Sequence, residues 1–154
     1  MALYIEQYDR MKRWYDKFAA LNQGRPHDSP SENYVDEIYA FFQNAYHFKD
    51  WLKNDGTLAS PVVKDVEQFI NGDRSLRLCA DICNSLKHLV LKKGERSKEN
   101  PTFGRKQYGL SLGAGPTKIK LEYEINTASG SVDAFQLATD CMAAWDKFRA
   151  KHGI

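Results

Sequence analysis

Lys118-Ile-Lys-Leu-Glu-Tyr-Glu-Ile125 is the stretch on which the fold turns. Ile119, Leu121, Tyr123 and Ile125 alternate there with Lys118, Lys120, Glu122 and Glu124. Strict period-two alternation describes a strand with one packed face and one wet face. Immediately upstream, Tyr108, Leu110 and Leu112 alternate with polar or small neighbours, and Gly113-Ala-Gly-Pro116 separates the two runs. Alternating runs on both sides of a Gly/Pro turn predict an antiparallel β-hairpin over about 106–126.

Outside that hairpin the apolar residues recur at helical spacing. Tyr4, Tyr8, Met11, Tyr15 and Phe18 define one face of a helix over Leu3–Leu21, with Gly24 as its stop. Ser29-Pro30-Ser31-Glu32 predicts a second helix start, with Ser29 as cap and Glu32 completing a capping box. Val35, Ile38, Phe41, Phe42, Ala45, Phe48 and Leu52 carry that helix to about Lys53. Ser60-Pro61 repeats the signal for a short third helix that ends at Gly72. A fourth runs from about Ser75 to Lys93 on Leu78, Cys79, Ile82, Cys83, Leu86, Leu89 and Val90. Asp133, with Gln136 three residues on, caps a last helix bearing Phe135, Ala138, Cys141, Met142, Trp145 and Phe148. The expected fold is mainly α. It is a single domain over residues 1–154, an antiparallel helical bundle of about five helices with the β-hairpin inserted before the last.

Composition narrows the classes. Three Trp, eight Tyr and eight Phe supply a rich core and exclude disorder. A formal net charge of +2 disfavours a globally basic nucleic-acid binder. No apolar run approaches the ~20 residues that span a bilayer, so no membrane partner is expected. The start Met1-Ala-Leu-Tyr-Ile-Glu6 lacks a signal peptide's charged-then-apolar order. Three cysteines without a Cys-x-x-Cys pair fit a reduced, cytoplasmic protein.

The fourth helix carries a polar stripe. Arg77, Asp81, Asn84 and His88 sit at i, i+4, i+7 and i+11, which is core spacing occupied by polar groups. Such a stripe is either a solvated face, with Arg77–Asp81 as an ion pair, or a polar site between helices. On the second helix Asn44, His47 and Trp51 share a line, and His47–Asp50 forms an i,i+3 pair. Side-by-side packing of the two helices would let His47 and His88 line one cleft. A metal held by His47, Asp50, Asp81 and His88 is disfavoured, because no His-Glu-x-x-His spacing is present. Neither metal nor cofactor is expected. Between Lys87 and Lys106, seven basic residues (87, 92, 93, 96, 98, 105, 106) face only Glu95 and Glu99. That segment is a candidate phosphate-binding patch beside His88.

Asn84-Ser-Leu-Lys-His88, late on a long helix of a small helical bundle, resembles the end of the motif of HEPN domains. These are helical nucleotide-binding and RNase domains of defence and toxin systems. Their usual motif is Arg, a polar residue that is often Asn, three residues, then His; here Cys83 stands at the Arg position. The resemblance implies an RNA- or nucleotide-binding domain, either an atypical metal-independent ribonuclease or an inactive binding version, often with paired subunits. It implies His88 as acid or base in attack by the 2′-OH, a task suited to a side chain of unperturbed pKa ~6.5. Asn84 would orient the substrate, and Lys87 would substitute for the absent Arg. His47, Asp81, Lys92 and Lys93 would serve binding. A reading from another class is a non-catalytic, homodimeric protein-interaction module that uses an exposed helix face or the hairpin edge.

Overall fold

The computed structural model describes residues 1–88 and 95–154. In chain order the elements are α1 (Tyr4–Gln23), β1 (Arg25–Pro26), α2 (Ser31–Asn54), α3 (Ser60–Gly72), α4 (Arg74–His88), β2 (Thr102–Ser111), β3 (Lys118–Thr127), β4 (Gly130–Asp133) and α5 (Ala134–His152). The five expected helices are there. The extension of α4 to Lys93, with Leu89 and Val90, lies outside the described residues.

The strands correct the picture of a bundle with an isolated hairpin. β3 is the centre of a four-stranded antiparallel sheet and pairs with β1, β2 and β4. The architecture is mainly α but mixed α/β. Two of the four strands were invisible to periodicity because they are short. β1 is only Arg25 and Pro26, laid against Ile119 and Lys118. Gly24, at φ 111°, turns the chain out of α1 into that pairing, a conformation that favours glycine. β4 answers Glu124–Thr127 across a tight turn and leads straight into α5.

Alternation along β3 survives intact, with Ile119, Leu121, Tyr123 and Ile125 buried and their neighbours exposed. That apolar face packs on α1 and α5. The helices meet over Phe18, Ile38, Phe41, Phe42, Phe48, Trp145 and Phe148, all fully buried, each contributing ~1.5–3 kcal/mol by leaving water. Phe48 meets Trp145 edge to face at 5.1 Å, and the indole Nε1 donates to the Ala45 carbonyl at 2.9 Å. α2 also packs on α4, where the Cys79 thiol donates to the Phe42 carbonyl at 3.4 Å.

Helix starts follow the sequence in part. Asp133 caps α5, its Oδ2 accepting from the Gln136 N–H at 2.9 Å. Asp73 does the same for α4 through the Leu76 N–H. The Ser29–Glu32 capping box does not form, because α2 begins at Ser31 and the Ser29 hydroxyl turns to Asp28. The buried Tyr34 hydroxyl fastens the preceding loop instead, accepting from the N–H groups of Asp28 and Ser29. α1 is capped from a distance: Asp55 Oδ2 accepts from the Tyr4 N–H at 2.9 Å across 51 residues. Among the described residues, no helix is long and apolar enough to cross a membrane.

Candidate functional site at the end of α4

α4 meets α2 through Cys79, and the environment of the motif residues changes along its length. At its deep end Asp81 is 0% exposed. One oxygen accepts from the Arg96 N–H at 2.8 Å, and the other from the Ser97 N–H at 2.8 Å and the Ser97 hydroxyl. The carboxylate therefore clamps the chain that returns after α4. Its assignment as a ligand-binding residue is corrected: both oxygens are occupied and neither faces solvent. The expected Arg77–Asp81 ion pair is also absent, since Arg77 Nη1 donates to the Asn71 carbonyl at 2.7 Å instead.

Two residues further on, Cys83 stands buried where the resemblance expects an Arg. Burial and the neighbouring Cys79 push its thiol up to about 12, against the pull of the Lys49 and Lys87 charges. Lys49 is only 9% exposed. Its Nζ lies 2.6 Å from the Asp50 carboxylate and 4.7 Å from the centre of the Tyr46 ring. A buried ammonium costs several kcal/mol unless it is partnered, and the carboxylate and the ring are its partners here. Asp50 is thus committed to Lys49 and not to His47, as the i,i+3 spacing had suggested.

At the open end Asn84 is half-buried, while Lys87 and His88 are exposed. His47 is exposed on α2. Among the described residues, no hydrogen bond or ring contact joins His47 to His88. Asn44, on the same line as His47, accepts the Gln7 amide at 3.1 Å and gives its own to Ala40, a structural role.

The basic run disperses in three dimensions. The Arg96 guanidinium binds Glu67 at 2.7 Å and Asn71 at 3.2 Å. Burial works against ionising Glu67, yet hydrogen bonds from Lys53 and Arg96 hold its carboxyl down to about 2. Arg105 and Lys106 fall on opposite faces of β2: Arg105 lies beside Glu122 and Glu124, whereas Lys106 covers the Tyr123 ring at 5.7 Å. Lys92 and Lys93 lie outside the described residues. Among the described residues, no three His, Cys, Asp or Glu side chains converge as a metal site requires.

Lys49 is the residue the sequence reading missed. Its signal was there: Phe42, Ala45, Lys49 and Leu52 follow one another at i, i+3, i+7 and i+10, a core line with one ammonium in it. A search of protein-family models, curated proteins and solved structures finds no match to this chain.

Proposed function

We propose that the open end of the α2–α4 seam binds RNA or a nucleotide through its phosphates, in the manner of a HEPN-like domain. The observation that carries this reading is the last described turn of α4, where Lys87 and His88 are exposed beside half-buried Asn84. Cys83 is buried where the motif Arg would stand, and Lys87 is the exposed cation on that turn. In this reading Lys87 holds phosphate and Asn84 orients the sugar-phosphate. His88 takes or gives the proton if the 2′-OH attacks its own phosphodiester, a reaction that needs no metal.

The test is fluorescence anisotropy with a labelled single-stranded RNA at low salt, alongside cleavage of the same RNA in chelator. Binding that weakens on Lys87→Ala supports the site; no binding at low salt overturns it. Cleavage lost on His88→Ala adds the enzyme reading, and binding without cleavage leaves an inactive binding domain.

A second reading, a non-catalytic interaction module that pairs with its own kind, draws on a separate observation. Three of the large hydrophobic residues left exposed, Tyr108, Leu110 and Leu112, lie together on β2 and the turn that follows it.

A further inference from the structure

Among the described residues β2 pairs only with β3, so one long side of the strand is open. Its register sets Tyr108 opposite Leu121 and Leu110 opposite Ile119. Directly opposed residues share a sheet face, so Tyr108 and Leu110 continue the apolar face that β3 buries against the helices. The helices stop short of covering it: Tyr108 is 40%, Leu110 59% and Leu112 81% exposed. Gln107-Tyr-Gly-Leu-Ser-Leu-Gly-Ala-Gly-Pro-Thr117 also contains no charged residue. Exposed edges are ordinarily protected by charge, proline or a bulge, and here Arg105, Lys106 and the irregularity after Phe103 stand only at the strand's beginning.

We propose that this edge is where a second copy of the chain docks, β2 against β2 in antiparallel register about a two-fold axis at Gly109. The proposal rests on the interaction-module reading and names its partner and surface. Complementarity selects both. With the axis at Gly109, each Tyr108 faces the other copy's Leu110, and each Leu112 faces the aliphatic stem of the other Lys106. Arg105 then faces Gly113, so no like charges oppose one another. An axis at Gln107 would leave Leu110 and Leu112 facing Gly104 and Thr102, while an axis at Ser111 would pair every remaining residue of β2 with one beyond the strand's end, where the Gly109 axis keeps 107–111 paired within it. The uncharged edge is matched best by an uncharged strand, and a second copy presents one. The two sheets join into one, both apolar faces on the same side, and the symmetric pairing uses the β2 edge of both copies, so this contact closes on itself.

One strand pair with these side chains is a small contact of ~1,200 Å² or less, the size of transient complexes. Sedimentation of the full chain is expected to show a monomer–dimer equilibrium that Leu110→Lys weakens tenfold or more without lowering the melting temperature. Gly109→Cys reads the register. A Cβ at Gly109 meets nothing closer than the Lys120 Cβ at 3.7 Å, and the three native cysteines are buried. Directly opposed cysteines lie within disulfide reach, so this variant is expected to cross-link into a dimer on mild oxidation. Ser111→Cys, offset by two residues on each chain, separates its thiols by ~14 Å and is expected not to link. A chain that stays monomeric at every concentration overturns both this proposal and the homodimeric reading. A dimer indifferent to Leu110→Lys, with no Gly109→Cys link, overturns this edge and leaves pairing through another face.

Discussion

Asp81 and His88 lie seven residues apart on one helix and belong to one sequence pattern, yet they live in opposite environments. Asp81 is fully buried, with three donors on its two oxygens. His88 is exposed at the last described turn of α4, beside Lys87 and the seam with α2. A polar stripe at core spacing is therefore two things in sequence: a structural clamp where the chain folds back over the helix, and an open surface where it does not. Depth, which spacing does not encode, divides them.

The most forceful way to break this contrast is to remove the clamp. Asp81→Ala strands three buried or half-buried donors that now bond a charged acceptor. Hydrogen bonds to charged groups are worth ~1.5–3 kcal/mol each, and partial rehydration of the loop recovers some of that. A loss of about 3 kcal/mol is expected, seen as a fall of ~6–12 °C in melting temperature for a chain of this size. A loss below ~0.5 kcal/mol, the range of ordinary surface changes, would return Asp81 to the solvated stripe.

Asp55 sharpens the same point with pH. It caps α1 through the Tyr4 N–H and holds Thr57 by hydroxyl and amide. Those hydrogen bonds, the Thr57 hydroxyl foremost, lower its carboxyl from 3.8 to about 2. A folded-state value below the unfolded one means its stabilisation is complete above pH ~4 and fades as pH falls toward 2. Asp55→Asn is expected to cost ~1–2 kcal/mol at neutral pH, the value of a helix cap. The gap between variant and parent melting temperatures should close as pH drops from 4 to 2. A gap that persists unchanged at pH 2 would show that the charge is not what caps the helix.

These carboxylates also show what the sequence could and could not display. The faces of the five helices and the alternation of β3 were legible because each is a local periodicity that burial enforces. Asp133 was legible as a cap because its acceptor meets an N–H three residues away. Asp55 was not, since its target is 51 residues distant, and neither was the Asp81 clamp on 96–97, fifteen residues along. β1 failed for the opposite reason: two residues have no period. At the candidate site, Asn84, Lys87 and His88 could be read from the helix alone. Lys49 hid because a single ammonium in an apolar line looks like the polar face until packing shows which side faces inward.

Binding offers a finer comparison within the open end. If Lys87 contacts phosphate, its loss removes one counterion-releasing contact. The log–log dependence of RNA affinity on salt is then expected to flatten by ~0.7 for a single strand in Lys87→Ala. Lys98→Ala, on the exposed connection and beyond the seam, is expected to change that slope less. Equal flattening in both would mean that the RNA follows overall charge and not the seam.

The smallest expected effect on stability belongs to His88 itself. Its side chain is exposed, so His88→Ala should move the folding free energy by no more than ~0.5 kcal/mol. The same substitution should abolish RNA cleavage in chelator if His88 carries the proton, because no other imidazole contacts it among the described residues. Melting and cleavage measured on one preparation therefore separate the two ends of the stripe. A destabilisation like that of Asp81→Ala would mean His88 is another clamp, and the contrast along α4 would vanish. An unchanged melting temperature with undiminished cleavage would move the chemistry to another residue. An unchanged melting temperature with no cleavage in the parent protein, but RNA still held through Lys87, would make this end of α4 a binding surface. That outcome is the one the buried Cys83 favours, because a thiol at the motif Arg position supplies less charge to a developing phosphorane than a free guanidinium would.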